Sequence, residues 1–199
     1  MSGARRRLVV ATRNEHKLVE LEAILGAFEL LPLPEDVVLP PETGRTFAEN
    51  SLATARAAAA ATDTDSIADD SGIAAAALGG RPGVRSARYA GADASDEENL
   101  AKLLREVACG DDRSVTYVCA MAYAGVDGVE LLAEGRCEGQ LARVPAGSGG
   151  FGYDPAFIPV EPVGEGRTMS QLSAAEKHSI SHRGRAARAL AKLLEAGDR

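Results

Sequence analysis

Hydrophobic periodicity changes partway along this chain, and the change limits the folds open to it. Near the start, the apolar run Leu8, Val9, Val10 and Ala11 gives way to Thr12-Arg13-Asn14, after which Leu18, Leu21, Ile24 and Leu25 recur at helical spacing. That order predicts a strand, a turn and a helix. In the middle, Val115, Tyr117, Cys119, Met121 and Tyr123 fall on alternate positions, and Asp127-Gly128 marks a hairpin turn into a strand over 129–136. A strand followed by a crossover helix calls for parallel pairing, and a hairpin for antiparallel pairing. At 199 residues the chain favours a single domain. Both pairings then belong to one mixed α/β domain over 1–199: a long mixed sheet flanked by helices, in two lobes with an active-site cleft between them.

The remaining elements follow from caps and breakers. Residues 28–33 read as a second short strand, and Pro32, Pro34, Pro40 and Pro41 mark a loop that ends at Glu42-Thr43-Gly44. Thr46 and Glu49 have the spacing of a capping box, which predicts a helix to about Thr62; its alanine run, 57–61, suits close packing on a sheet. Ser66-Ile67-Ala68 reads as a brief strand ending in Asp69-Asp70-Ser71-Gly72, and 79–83 as a flexible glycine-rich loop. Ser95 and Glu98 repeat the capping spacing and open a helix through about Val107, while Ala186, Leu190, Leu193 and Leu194 mark a last helix.

A net charge of −7 argues against broad binding to nucleic acid polymers or an anionic membrane, but leaves room for a small anionic ligand held by local cations. No apolar run approaches the roughly 18 residues of a membrane span. Cys109, Cys119 and Cys137 are odd in number and lack a C-x-x-C pair, so reduced structural thiols and a cytoplasmic location are expected.

Four segments carry chemistry. Thr12-Arg13-Asn14-Glu15-His16-Lys17 joins a strand to a helix start, where free N–H groups and the dipole favour a phosphate; a solvated, Asn-capped helix start is the plain alternative. Asp69 and Asp70 end a buried strand, which is costly without cations, and Mg²⁺ with a nucleotide is the natural compensator; an Asp-Ser-Gly turn is the alternative. Because strand neighbours point to opposite faces, one aspartate is expected at the ligand and the other to orient it. In Gly149-Gly150-Phe151-Gly152-Tyr153-Asp154-Pro155, glycines allow close backbone approach, Phe151 or Tyr153 can stack on a base, and Asp154 can accept from ring N–H groups. The alternative there is a turn whose aromatics anchor it in the core. Lys177, His178, His182 and Arg183 form a basic group near the last helix, with Ser181 a candidate N-cap and zinc binding disfavoured for want of a soft ligand.

Together these segments resemble the inosine triphosphate pyrophosphatase family, which includes the bacterial dITP/XTP pyrophosphatases. The matching stretches are A-T-R-N-E-H-K at 11–17, E-T-G-x-T-F-x-E-N at 42–50, I-A-D-D-S-G at 67–72 and L-G-G-x-P-G-V-x-S-A-R-Y-A-G at 78–91. Two more follow, G-G-F-G-Y-D-P at 149–155 and E-K-x-x-I-S-H-R-G at 176–184. The resemblance implies hydrolysis of ITP, dITP or XTP to the monophosphate and pyrophosphate, with Mg²⁺ as cofactor and a homodimer as the assembly. It implies that Thr12 to Lys17 hold the triphosphate, that Glu42 and Asp70 bind Mg²⁺, and that Asp70 acts as the base beside Asp69. Ser71 touches substrate, Phe151, Gly152, Tyr153 and Asp154 hold the purine, and Lys177, His182 and Arg183 complete its pocket. A 6-oxo purine presents an acceptor where adenine presents a donor, so Lys177 or Arg183 aimed there rewards the former. The chain departs from the family's common pattern at Arg13 and Thr54, and Arg13 or Arg56 is expected to supply the missing cation. The rival readings are a related pyrophosphatase acting on modified pyrimidine nucleotides and a non-catalytic nucleotide-binding module.

Overall fold

The computed structural model describes residues 5–107 and 112–197; Cys109 lies outside them. The strands are β1 (Arg7–Val10), β2 (Glu29–Pro32), β3 (Ser66–Ala75), β4 (Ser114–Ala124), β5 (Glu130–Leu141) and β6 (Phe157–Pro159). The helices are α1 (Glu15–Ile24), α2 (Phe47–Thr62), α3 (Asp96–Val107), α4 (Ala174–Ile180) and α5 (His182–Gly197). The sheet order is β2-β1-β3-β4-β5-β6, with β1 parallel to β2 and β3 and β6 antiparallel to β5. The mixed sheet is therefore as the two periodicities require. The chain forms two compact units, one from Met1–Asp70, Cys119–Gly135 and Arg183–Arg199, the other from Ser71–Val118 and Arg136–His182.

In the first unit, strand alternation sorts large from small side chains. Leu8, Val10, Ile67, Cys119, Met121 and Tyr123 pack against Leu21 of α1, Leu25 just after it, and Ala186, Leu190 and Leu194 of α5. The opposite face offers Val9, Ala11, Ala68, Ala122 and Ala124 to Ala55, Ala58 and Ala59 of α2. Alanine meets alanine there, which lets the helix lie close to the sheet and explains the alanine run. The helix starts where its cap predicts: Glu49 N–H donates to Thr46 Oγ1 at 3.1 Å, and the Glu49 carboxylate accepts from the Arg45 N–H at 2.6 Å.

In the second unit, Ile73, Leu100, Leu103, Val107, Val115, Tyr117, Cys137, Leu141 and Phe157 form the core. Ser95 caps α3 as expected, its hydroxyl accepting from Glu98 N–H and its own N–H donating to the Glu98 carboxylate. Three features differ from expectation. β3 does not stop at Asp69 but runs through Asp70, Ser71 and Gly72 to Ala75. Gly72 permits this, because a Cβ there would meet Ser86 Oγ at 2.4 Å and the Gly83 carbonyl at 2.6 Å. β5 extends to Leu141 and pairs with the unforeseen β6, and a Cβ on Gly139 would lie 2.6 Å from the Phe157 ring. The 79–83 segment folds back on β3, with the Ala75 N–H on the Arg81 carbonyl at 3.0 Å and Ala74 bridged to Pro82.

Cys119 and Cys137 are buried and unbridged. Among the described residues no helix is long and apolar enough to cross a membrane.

Candidate active site

The first unit gathers an acidic pair with two cations. Asn14 caps α1, its side-chain oxygen accepting from the N–H groups of His16 at 3.0 Å and Lys17 at 3.2 Å. The cap fixes the first turn, and Lys17 Nζ lies 3.2 Å from both Asp69 Oδ2 and the Asp69 carbonyl. Arg183, at the start of α5, donates to Asp69 Oδ2 from Nη2 at 3.0 Å and from Nε at 3.1 Å, while its Nη1 donates to Glu20 at 2.7 Å. Burial opposes ionisation of Asp69, yet the guanidinium of Arg183 and the ammonium of Lys17 hold its carboxyl well below the usual carboxylate range. Its Oδ1 is buried with no hydrogen-bond partner among the described residues.

Asp70 stands next to it in the opposite electrostatic condition. Burial pushes its carboxyl up to about 6; a hydrogen bond from Asn50 Nδ2 at 2.8 Å opposes the rise, and the negative charge of Glu42 adds to it. Asn50 also accepts from the Gly44 N–H at 2.7 Å, so one amide ties Asp70 to the loop carrying Glu42. Gly44 allows this approach, since a Cβ there would meet Asn50 Oδ1 at 2.5 Å. The two adjacent carboxyls thus differ in proton affinity, Asp69 held ionised and Asp70 raised.

The rest of the turn is placed differently. Thr12 Oγ1 accepts from Asn14 N–H at 3.1 Å, while Glu15 and His16 are exposed on α1. Arg13 does not reach out as a phosphate cation. Its guanidinium donates to the carbonyls of Leu33 at 2.8 Å, Pro34 at 2.6 Å, Glu35 at 3.2 Å and Val37 at 2.9 Å. A proline-rich loop has no ladder for its carbonyls, and this side chain supplies the donors. Arg56 pairs with Glu130 at 2.5 Å on an exposed surface. Neither arginine is arranged as the replacement cation expected from the departure at Thr54.

The second unit holds Ser71 and the aromatic loop. Gly150, at φ +71°, brings the loop so close to Asp154 that a Cβ would lie 2.1 Å from its Oδ2. Asp154 is buried; its Oδ2 accepts from Lys177 Nζ at 2.6 Å and Phe151 N–H at 3.1 Å, and its Oδ1 from the Tyr117 hydroxyl at 3.1 Å. The carboxylate thus organises the loop rather than lying open to a ring N–H. Tyr153 is a core anchor, not a stacking surface, with its hydroxyl on the Ser86 carbonyl at 2.7 Å. Phe151 is half-buried with Lys177 Nζ 5.0 Å from its ring centroid, and the Gly152 N–H donates to Asp96 at 2.7 Å. A capping box between Ser173 and Glu176 sets the start of α4 and hence the position of Lys177. His182 stacks on Tyr117, ring centroids 4.5 Å apart. Ser181 ends α4 and immediately precedes α5.

Arg183 therefore belongs with Asp69 and Glu20 in the first unit, because a guanidinium only 2% exposed requires carboxylate partners. Asn50, Glu20, Asp96 and Tyr117 hold the site residues by hydrogen bonds or stacking and had no site role in the sequence. Asn50 closes a quoted motif on an otherwise alanine-rich helix face, and Glu20 lies three residues after Lys17 beside Leu21. Those were the available cues. Tyr117 carried none, since its position alternates like any core residue.

The Ham1 family model matches residues 8–193. A dITP/XTP pyrophosphatase from Streptomyces coelicolor is 46% identical over 199 residues, covering 94% of this chain and 96% of the relative. One of the same name from Mycolicibacterium paratuberculosis is 47% identical over 197 residues, with 94% and 95% covered. The solved structure of a HAM1 protein from Coxiella burnetii matches with a TM-score of 0.86 at 39% identity, over 96% of this chain and 99% of that one. Motifs, fold and full-length similarity agree, and the chain belongs to the Ham1 family.

Proposed function

We propose that this protein hydrolyses non-standard purine nucleoside triphosphates, ITP, dITP and XTP, to the monophosphate and pyrophosphate. The observation that carries the reading is the Asp69–Asp70 pair: Asp69 is held in its charged form by Lys17 at 3.2 Å and Arg183 at 3.0 Å, and Asp70 beside it is tied through Asn50 to the loop that carries Glu42. The names of the relatives support the substrate class.

In this reading Asp70 positions a water and accepts its proton as the water oxygen bonds to the α-phosphorus. The bond from that phosphorus to the bridging oxygen breaks, and pyrophosphate leaves. Lys17 has three donors, two of them directed at Asp69, and the third neutralises charge on the phosphate oxygens. Asn14 and Thr12 set the shape of that turn.

The donor set fits Mg²⁺. Asp70 feels the charge of Glu42, a repulsion a divalent cation relieves. Mg²⁺ keeps several waters and needs only one or two carboxylates. Glu42 and Asp70 would hold it, where it would offset triphosphate charge and favour attack by water. In the second unit, Phe151 offers a stacking face and Lys177 a donor for a 6-oxo group, while His182 is stacked on Tyr117. The same reading takes the protein as a cytoplasmic homodimer, which light scattering of the purified protein tests.

The experiment is a panel of kcat/KM values for ITP, XTP, dUTP, GTP and ATP with and without Mg²⁺. The expected result is strong preference for ITP and XTP, lost on chelation and restored by Mg²⁺. Comparable turnover of ATP would overturn the specificity, and preference for dUTP would favour a pyrimidine enzyme.

A further inference from the structure

We infer that Tyr117 is a positioning residue for purine selectivity, acting through Asp154 and His182 without touching substrate. The inference rests on the function proposed above and deepens its account of base recognition. Tyr117 is 5% exposed, so its contacts are with the protein. One face of its ring lies on Phe157, centroids 4.2 Å apart at 22°, and it also stacks on His182 at 4.5 Å and 14°. Near-parallel stacks on a buried ring fix the plane of the His182 imidazole.

The hydroxyl does a second task. It donates to Asp154 Oδ1, while Oδ2 receives Lys177 Nζ and the Phe151 N–H. A carboxylate turns easily about its terminal torsion, whose preference is broad and two-fold. With Oδ1 held from one side, Oδ2 presents a fixed point to the Lys177 ammonium. Lys177 sits 5.0 Å from the Phe151 ring centroid, so the same restraint sets the donor relative to the aromatic face. One buried tyrosine thereby links three groups read as base-facing: His182 through its ring, Lys177 and Phe151 through Asp154. Discrimination between an oxo and an amino group depends on where the Lys177 donors point, so loosening Asp154 should erode selectivity rather than chemistry.

The test is Tyr117→Phe, which keeps both stacks and removes only the hydroxyl. KM for ITP should rise on the order of tenfold while kcat stays within about twofold, because misplacement of a recognition group is paid in binding. The ITP to ATP ratio of kcat/KM should fall, and inhibition by inorganic pyrophosphate, which lacks a base, should be unchanged. In an Asp154→Asn background the substitution should add nothing, since coupled residues are non-additive. A wild-type KM and ITP to ATP ratio in Tyr117→Phe would overturn the inference alone. So would a variant that fails to fold, or kcat and KM effects that add to those of Asp154→Asn, since the hydroxyl is then structural. Wild-type protein without ITP preference would overturn both this inference and the function beneath it.

Discussion

In the first unit Asp69 and Asp70 stand side by side on one strand and their surroundings separate them; in the second, Asp154 stands alone and its surroundings converge on it. Asp69 is held ionised by two cations, and Asp70 is pushed up to about 6 by burial. Asp154 instead gathers a lysine, a tyrosine hydroxyl and a backbone N–H. The first arrangement sets proton affinity, which hydrolysis needs. The second sets position, which recognition needs. Buried carboxylates therefore serve both ends of the proposed reaction, and the partners decide which.

The comparison breaks most visibly at Arg183. Arg183→Leu removes a guanidinium partner from Glu20 and leaves Lys17 as the cation beside Asp69, so stability should fall by about 3–5 kcal/mol, read as a lowered denaturation midpoint. A variant as stable as the wild type would mean that the cluster is not charge-paired in solution. Gly150→Ala comes next. Its Cβ would press on the Asp154 carboxylate at a φ of +71°, and overpacking of this kind costs about 1–3 kcal/mol. KM for ITP should rise with inhibition by pyrophosphate unaffected, and equal losses in both would erase the division between the units.

Asn50→Ala sharpens the first side. It removes the amide joining Asp70 to Gly44 and takes a hydrogen bond from the buried Asp70 carboxyl, costing about 1–3 kcal/mol. Thermal unfolding should show it, and Asn50→Asp should not restore it, because a second carboxylate would face Asp70. The smallest effect concerns Glu176, which hydrogen bonds from Arg167 and from the Ser173 backbone hold down at about 2. A lowered folded-state value means stability that is present above the free value of about 4.3 and lost as pH falls toward about 2. The melting-temperature advantage of wild type over Glu176→Gln should be complete at neutral pH and vanish near the lower limit. An advantage that grows in acid would contradict it.

Local chemistry made much of this legible. The capping spacings at Thr46 and Ser95, the alternation of β4 and the hairpin at Asp127-Gly128 act within a few residues, and each element lies where those residues put it. What escaped depends on partners far along the chain. β3 continues past Asp69, and the groups that compensate its buried carboxylates are distant in sequence: Arg183 lies 114 residues from Asp69 and Asn50 lies 20 residues from Asp70. β6 has three residues, one of them a proline, too few for any period. Within the site, the residue types were readable but their neighbours were not. Tyr153 took the anchoring role that the sequence left open, Arg183 went to Asp69, and Arg13 went to a run of carbonyls.

The most direct test of the central claim is pyrophosphate release from ITP by Asp70→Asn. Loss of a general base lowers kcat by about 10²–10⁴-fold; the prediction is a fall of that size in a folded protein that still binds ITP. A kcat near that of the wild type would contradict the account.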